Sequence, residues 1–165
     1  MDTWFTMLIG IPGSGKSTWL SNQHEVFVVC PDSIRIYLTG DISNQEQNAT
    51  VWQIAQYMTY WAISSEKSIV LDATNTNTIW RRDFLKHIPT CKRKAIIFQI
   101  DPEIAVERVQ KRSTGSKVPA DVIYRMYGDL LYTMKTIQNE NWDCIEMIGD
   151  YNGRKTSKIK KSSRP

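Results

Sequence analysis

Apolar residues in this chain fall into short runs that alternate with longer stretches where they recur every three or four positions. Five runs read as strands, over residues 4–9, 26–30, 68–72, 94–100 and 144–148. Strands that are apolar on both sides of the pleat belong to sheets covered on both faces, the usual state of a parallel sheet. Between them the spacing predicts helices over 16–23, 33–38, 45–66, 79–86, 103–111 and 120–138. That alternation predicts an α/β domain with a five-stranded parallel sheet, and right-handed crossovers put helices on both faces. In the longest helix, Val51, Ile54, Ala55, Met58, Trp61 and Ala62 form a core-facing stripe. Trp52, Tyr57 and Tyr60 lie off it, either as partly buried edges or as platforms on which a nucleobase can stack.

One polar interruption carries chemistry. Residues 10–18 read Gly-Ile-Pro-Gly-Ser-Gly-Lys-Ser-Thr, which fits the G-x-x-x-x-G-K-[ST] phosphate-binding loop between a strand and a helix. Gly13 and Gly15 permit backbone angles that a Cβ penalises, so successive N–H groups, including that of Ser14, converge on one phosphate. The helix that follows through Thr18 adds its positive dipole end, Lys16 adds a point charge, and the Ser17 hydroxyl suits Mg²⁺. The loop therefore predicts binding of ATP or another nucleoside triphosphate.

Composition narrows the class. The chain has 165 residues, 41% apolar and 23% charged, as expected for one soluble domain. No apolar run reaches the roughly 18 residues of a membrane span. The N-terminus lacks the basic-then-apolar order of a secretory signal, so a cytoplasmic location is expected. Cys30, Cys91 and Cys144 are widely spaced, which fits reduced thiols and neither a disulfide framework nor a zinc site. The net charge of +4 is uneven. Six basic residues and one acid lie from Asp150 onward, out of 21 and 17 in the whole chain, which leaves 15 against 16 in the body. Residues 1–149 are thus expected to be a near-neutral kinase domain and residues 150–165 a flexible basic tail. A polar, basic, Gly-containing stretch at about 112–118 is expected to be a short lid.

Three further groups gather at strand ends. The second strand runs into Pro31-Asp32-Ser-Ile-Arg35, which puts a carboxylate and a guanidinium on one helix face at the sheet edge that carries the phosphate loop. Asp32 can serve as the base that takes a proton from an acceptor hydroxyl, with Arg35 holding the acceptor, or it can simply cap the helix. The third strand ends Asp72-Ala-Thr74-Asn75, where Asp72 is placed to reach Mg²⁺ and Thr74 and Asn75 to bond a substrate, or to make an ordinary turn. Arg108 and Arg112, one turn apart beside the lid, can clamp phosphates or form a solvated pair bridged to Glu107 or Asp101.

These motifs together resemble the 5′-OH polynucleotide kinases, both the phage-type enzymes and the kinase modules of bacterial end-healing RNA-repair proteins. The resemblance rests on residues 10–18 with Trp19, Pro-Asp32-x-x-Arg35, Asp72-Ala-Thr-Asn75, Arg108 and Arg112, and Val118-Pro-x-Asp-Val-Ile-x-Arg-Met126. It implies an adenylate-kinase-like P-loop phosphotransferase that moves the γ-phosphate of a nucleoside triphosphate to the 5′-hydroxyl of RNA or DNA, with Mg²⁺. Carried over, Lys16 and Ser17 hold phosphates and Mg²⁺, Asp32 is the general base, and Arg35 contacts the acceptor strand's phosphate. Arg108 and Arg112 become lid arginines on the donor side. The resemblance also implies host cytoplasm if the chain is phage-encoded, and a separate phosphatase or ligase for the other steps of end healing. Two alternatives share these features: a small-molecule or sugar-nucleotide kinase of the same superfamily, and a non-catalytic nucleotide-dependent nucleic-acid binder.

Overall fold

The computed structural model describes residues 3–113, 117–149 and 158–160. Strand β1 (Trp4–Ile9) is the axis of the sheet, buried from Phe5 onward. It pairs in parallel with β3 (Ile69–Leu71) on one side and β4 (Lys92–Phe98) on the other, with Phe5 opposite Ile69 and Leu8 opposite Ile96. β2 (Phe27–Val29) lies outside β3 and β5 (Cys144–Ile148) outside β4, so the parallel order is β2-β3-β1-β4-β5. All five expected strands are present in the expected sense. A sixth, β6 (Lys158–Lys160), runs antiparallel along β5 with Ile159 opposite Ile145. Of the expected basic tail, residues 158–160 thus run along the open edge of β5, which offers unpaired backbone groups to a strand. Residues 150–157 and 161–165 of that tail lie outside the described residues.

The helices are α1 (Lys16–Leu20), α2 (Pro31–Thr39), α3 (Asn48–Ser64), α4 (Thr78–Lys86), α5 (Pro102–Gln110) and α6 (Ala120–Thr136). α1 stops three residues early, where Asn22 and Gln23 donate to the carbonyls of Trp19 and Leu20 in tight i−3 bonds. Side chains alternate across β1. Phe5, Met7 and Ile9 enter the larger core under α3 to α6, while Leu8 joins Val70, Ile96 and Phe98 beneath Trp19 and Leu20 of α1. Both faces are covered, as the apolar runs require, but unequally.

Within α3 the buried residues are Val51, Ala55, Thr59, Ala62 and Ile63. Trp61, expected in the core, is 43% exposed, because α3 ends beside the edge strand β2. There it packs on Phe27 at 5.5 Å and takes the Lys67 ammonium over its ring at 4.9 Å. Among the described residues no helix is long and apolar enough to cross a membrane.

Candidate active site

The phosphate loop leaves β1 and enters α1 through two left-handed glycines, Gly13 at φ 83° and Gly15 at φ 97°. Gly13 is forced by packing as well as by angle. A Cβ there would stand 2.7 Å from the Ala105 carbonyl oxygen of α5. Gly15 is the N-cap of α1, so Ser17 and Thr18 occupy its exposed first turn, while Ser14 is buried beneath the loop. Lys16 Nζ donates to the carbonyls of Gly10 (2.8 Å) and Ile11 (3.0 Å) and to Ser14 Oγ (3.5 Å). Loss of water around this ammonium lowers its pKa to about 8; Asp72 opposes the shift, Arg112 adds to it, and Asp32 opposes it. Asp72, Arg112 and Asp32 thus all lie near enough to the Lys16 ammonium for their charges to act on it.

A short strap, residues 72–77, begins with Asp72. The Asp72 N–H donates to Val29 O (2.9 Å), and the Gly10 N–H donates to Thr74 O (2.9 Å). Asn75, in the left-handed region at φ 46°, sends its side-chain amide to Leu8 O (2.8 Å). The strap is thus stitched across the ends of β2 and β1. Asn75, expected to bond a substrate, has its amide nitrogen engaged in that stitching. The Asp72 carboxyl is pushed above the usual range by burial, with Lys16 pulling it back and Asp32 pushing it further.

Asp32 does not cap α2. The N-cap is Cys30, and Asp32 sits in the first turn with its side chain 62% exposed. Its Oδ1 accepts from Arg35 Nη1 at 2.5 Å, and Arg35 Nη2 donates to Asn48 Oδ1 at 2.9 Å. Arg35, expected to face an acceptor phosphate, is instead 5% exposed and fastened between α2 and the start of α3. Its Nε is buried without a hydrogen-bond partner among the described residues. In this geometry the guanidinium orients Asp32.

Among the described residues, neither Arg108 nor Arg112 is bridged to Glu107 or Asp101. Asp101 caps α5 by accepting from Glu103 N (2.8 Å), and Glu107 pairs with Lys111. Arg108 Nη1 instead donates to Gly13 O at 3.3 Å, and Arg112, exposed beyond α5, acts on Lys16 through its charge. Of the lid at about 112–118, residues 114–116 lie outside the described residues, and Val118 packs on the main core.

Sequence reasoning missed a buried network beneath the strap. Arg81 Nε and Nη2 donate to the two carboxylate oxygens of Glu140 at 2.9 and 2.6 Å, with side-chain exposures of 0% and 2%. Arg81 Nη1 also donates to Asn75 O (2.7 Å), and Thr133 Oγ1 donates to Thr76 O (2.8 Å). The network ties the strap to α4, α6 and the loop before β5. A signal did exist: Arg81 shares the apolar face of α4 with Phe84 and Leu85 at i+3 and i+4. Beside it opens a cleft of about 360 Å³ between α3, α4 and α6, with Thr74 and Asn75 on its rim and Trp52, Trp80 and Arg125 on its walls. Trp52 reaches this cleft, while Tyr57 and Tyr60 of the same helix point elsewhere and are exposed. Among the described residues no cluster of three His, Cys, Asp or Glu side chains forms a metal site.

Residues 5–133 match the family model described as an AAA domain, designated AAA_33. The chain belongs to this family. With the strand order above, this AAA domain has a P-loop kinase fold. No curated protein matches the chain by sequence. Among solved structures it is similar to a chain of the Pnkp1/Rnl/Hen1 RNA repair complex, at 20% identity and a TM-score of 0.74 over 82% of this chain and 46% of that one. This chain therefore spans less than half of that relative. It is also similar to a sugar kinase from Janibacter sp. HTCC2649, at 18% identity and a TM-score of 0.56 over 78% of each chain. A gluconokinase from Sinorhizobium meliloti 1021 matches at 14% identity and a TM-score of 0.52, over 78% of this chain and 75% of that one. At these identities the likeness concerns the fold.

Proposed function

We propose that this AAA domain transfers the γ-phosphate of ATP to the 5′-hydroxyl of an RNA or DNA strand. The observation that carries the reading is Asp32, a carboxylate held by buried Arg35 at the sheet edge where Lys16 of the phosphate loop ends. In the reaction the 5′-oxygen attacks the γ-phosphorus, its proton passes to Asp32, the new O–P bond forms and the bond to the β-phosphate oxygen breaks, releasing ADP. Lys16 exchanges its loop carbonyls for phosphate oxygens, and Arg108 and Arg112 offset charge from the lid side. The Ser17 hydroxyl and the Asp72 carboxylate, both hard oxygen donors beside the loop, fit Mg²⁺, which keeps several waters and needs few protein ligands. When bound, Mg²⁺ would supply charge neutralisation at the phosphates. The similarity to an RNA-repair chain supports a polynucleotide acceptor, and with it a separate phosphatase or ligase acting on the same ends.

The likeness to a sugar kinase and a gluconokinase favours a second reading, a small-molecule acceptor. Competition distinguishes them. ADP release in the presence of a 5′-OH oligonucleotide should continue when sugars and sugar acids are added in excess. Release driven by a sugar or sugar acid and unaffected by the oligonucleotide would remove the polynucleotide reading.

The Lys16 ammonium also sets a pH dependence. Its pKa of about 8 in the free protein must rise when a triphosphate sits against it, so nucleotide binding takes up a proton around and above that pH. Affinity for ATP is expected to hold below pH 8 and to fall by up to about tenfold per unit above it. Calorimetry in buffers of different ionisation enthalpy measures this uptake; an affinity flat from pH 7 to 9.5 would count against it.

A further inference from the structure

We infer that the cleft between α3, α4 and α6 seats the terminal nucleoside of the acceptor strand, with its base on Trp52 and Trp80 and the following phosphodiester on Arg125. The inference rests on the polynucleotide kinase reading and names the residues that would carry its acceptor specificity.

The cleft adjoins the reacting groups from two sides. On one rim stand Thr74 and Asn75, two and three residues beyond Asp72. On the α3 wall stands Ala49, next to Asn48, whose side chain holds the Arg35 that orients Asp32. A group bound there projects toward Asp32 and the phosphate loop. Its volume of about 360 Å³ lies at the small end of the range for ligand pockets and suits one nucleoside rather than a run of them.

The walls have the chemistry of a nucleoside. Trp52 is fixed edge-on against Phe84, with ring centroids 6.0 Å apart. Trp80 is 66% exposed in the first turn of α4, where the Asn77 side chain accepts from its backbone N–H at 3.2 Å. An indole held on an anchored helix start and open to water is a stacking surface of the kind that single strands use. Gln53 and Gln56, one turn apart on α3, bring amide donors and acceptors to a base edge.

The charge on the walls selects one phosphate. Three arginines lie near the cleft, and two are committed: Arg35 to Asp32 and Asn48, Arg81 to Glu140 and the strap. Arg125 is exposed on α6 and makes no hydrogen bond or ion pair among the described residues, so it is the guanidinium available to an anion. Asp83, paired with Lys86, and Asp129, one turn along from Arg125, oppose a second phosphate in the same cleft. A sugar or sugar acid has neither the base nor the phosphodiester that these residues would meet.

The test is steady-state labelling of a 5′-OH oligonucleotide with γ-labelled ATP. Trp80→Ala should raise the acceptor KM about tenfold with the ATP KM unchanged, and Trp80→Phe should retain most of the affinity. An oligonucleotide with an abasic 5′-terminal residue should lose at least as much with the unmodified protein, because Trp52 loses its partner too, and little more with Trp80→Ala, because the Trp80 contact is already gone. Arg125→Gln should raise the acceptor KM and lower the slope of log affinity against log salt by about one; Lys135→Gln, further along α6, should leave both unchanged. If the unmodified protein labels oligonucleotides while Trp80→Ala and Arg125→Gln keep its acceptor KM, the cleft assignment is wrong and the kinase reading stands. If the unmodified protein labels no oligonucleotide, the kinase reading itself fails, and this inference with it.

Discussion

Asp32→Asn is expected to lower kcat for acceptor phosphorylation by about 10²–10⁴-fold, the range for loss of a positioned general base. Asparagine is chosen because it keeps an oxygen for Arg35 Nη1 and removes only the basicity. The fold should survive. Asp32 is mostly exposed, does not cap α2, and contributes to the first helical turn only the modest effect of a charge near a helix dipole. The KM for ATP should change little, because in the proposed reaction Asp32 serves the acceptor and Lys16 the donor. A folded Asp32→Asn protein with undiminished kcat would remove Asp32 from the chemistry and leave its pairing with Arg35 as purely structural.

Arg81→Met or Glu140→Gln is expected to cost about 3–5 kcal/mol of folding stability, because each leaves a buried polar or charged partner uncompensated. For a chain of this size that corresponds to a fall in Tm of about 6–20 °C. The cost comes from the absence of water: both side chains are essentially unexposed, and Trp142 Nε1 adds a third donor to Glu140 at 3.0 Å. Replacing both partners with methionine should be less harmful than either single change, since no lone charge is then buried. Thermal melts of the two single variants and the double variant measure this. Single variants within about 1 kcal/mol of the unmodified protein would mean that water reaches the pair and that the strap is held by its stitches to β1 and β2 alone.

Much of the fold was legible because parallel strands advertise themselves. β1 and β5 were read to the residue, since burial on both faces leaves an uninterrupted apolar run. β4 begins two residues earlier than its apolar content suggests. There Lys92 pairs opposite Trp4, and both Lys92 and Lys94 lie over the Trp4 ring, so charged residues extend the ladder. The candidate site was legible in position, though not in role, where chemistry and place coincide in a few consecutive residues. Asp32 and Asp72 lie near enough to Lys16 of the phosphate loop for their charges to act on it. Sequence spacing could not reveal what buries a side chain. Arg35 reads as a cation that holds an acceptor, and its bond to Asn48, thirteen residues on, could not be seen from spacing. Arg81 and Glu140 are 59 residues apart, and only the fold brings the loop before β5 onto α4 to join them. Trp61 fits the core stripe of α3 and loses its burial because β2 is the last strand on that side.

The central claim is that phosphate moves from ATP to a 5′-hydroxyl, and the most direct measurement gives the protein one oligonucleotide in two forms. With γ-labelled ATP and Mg²⁺, label is expected at the 5′ end of the 5′-OH form and absent from the same strand already carrying a 5′-phosphate. ATP turnover without label on the 5′-OH strand, or label that appears only on a sugar acceptor, would contradict the account.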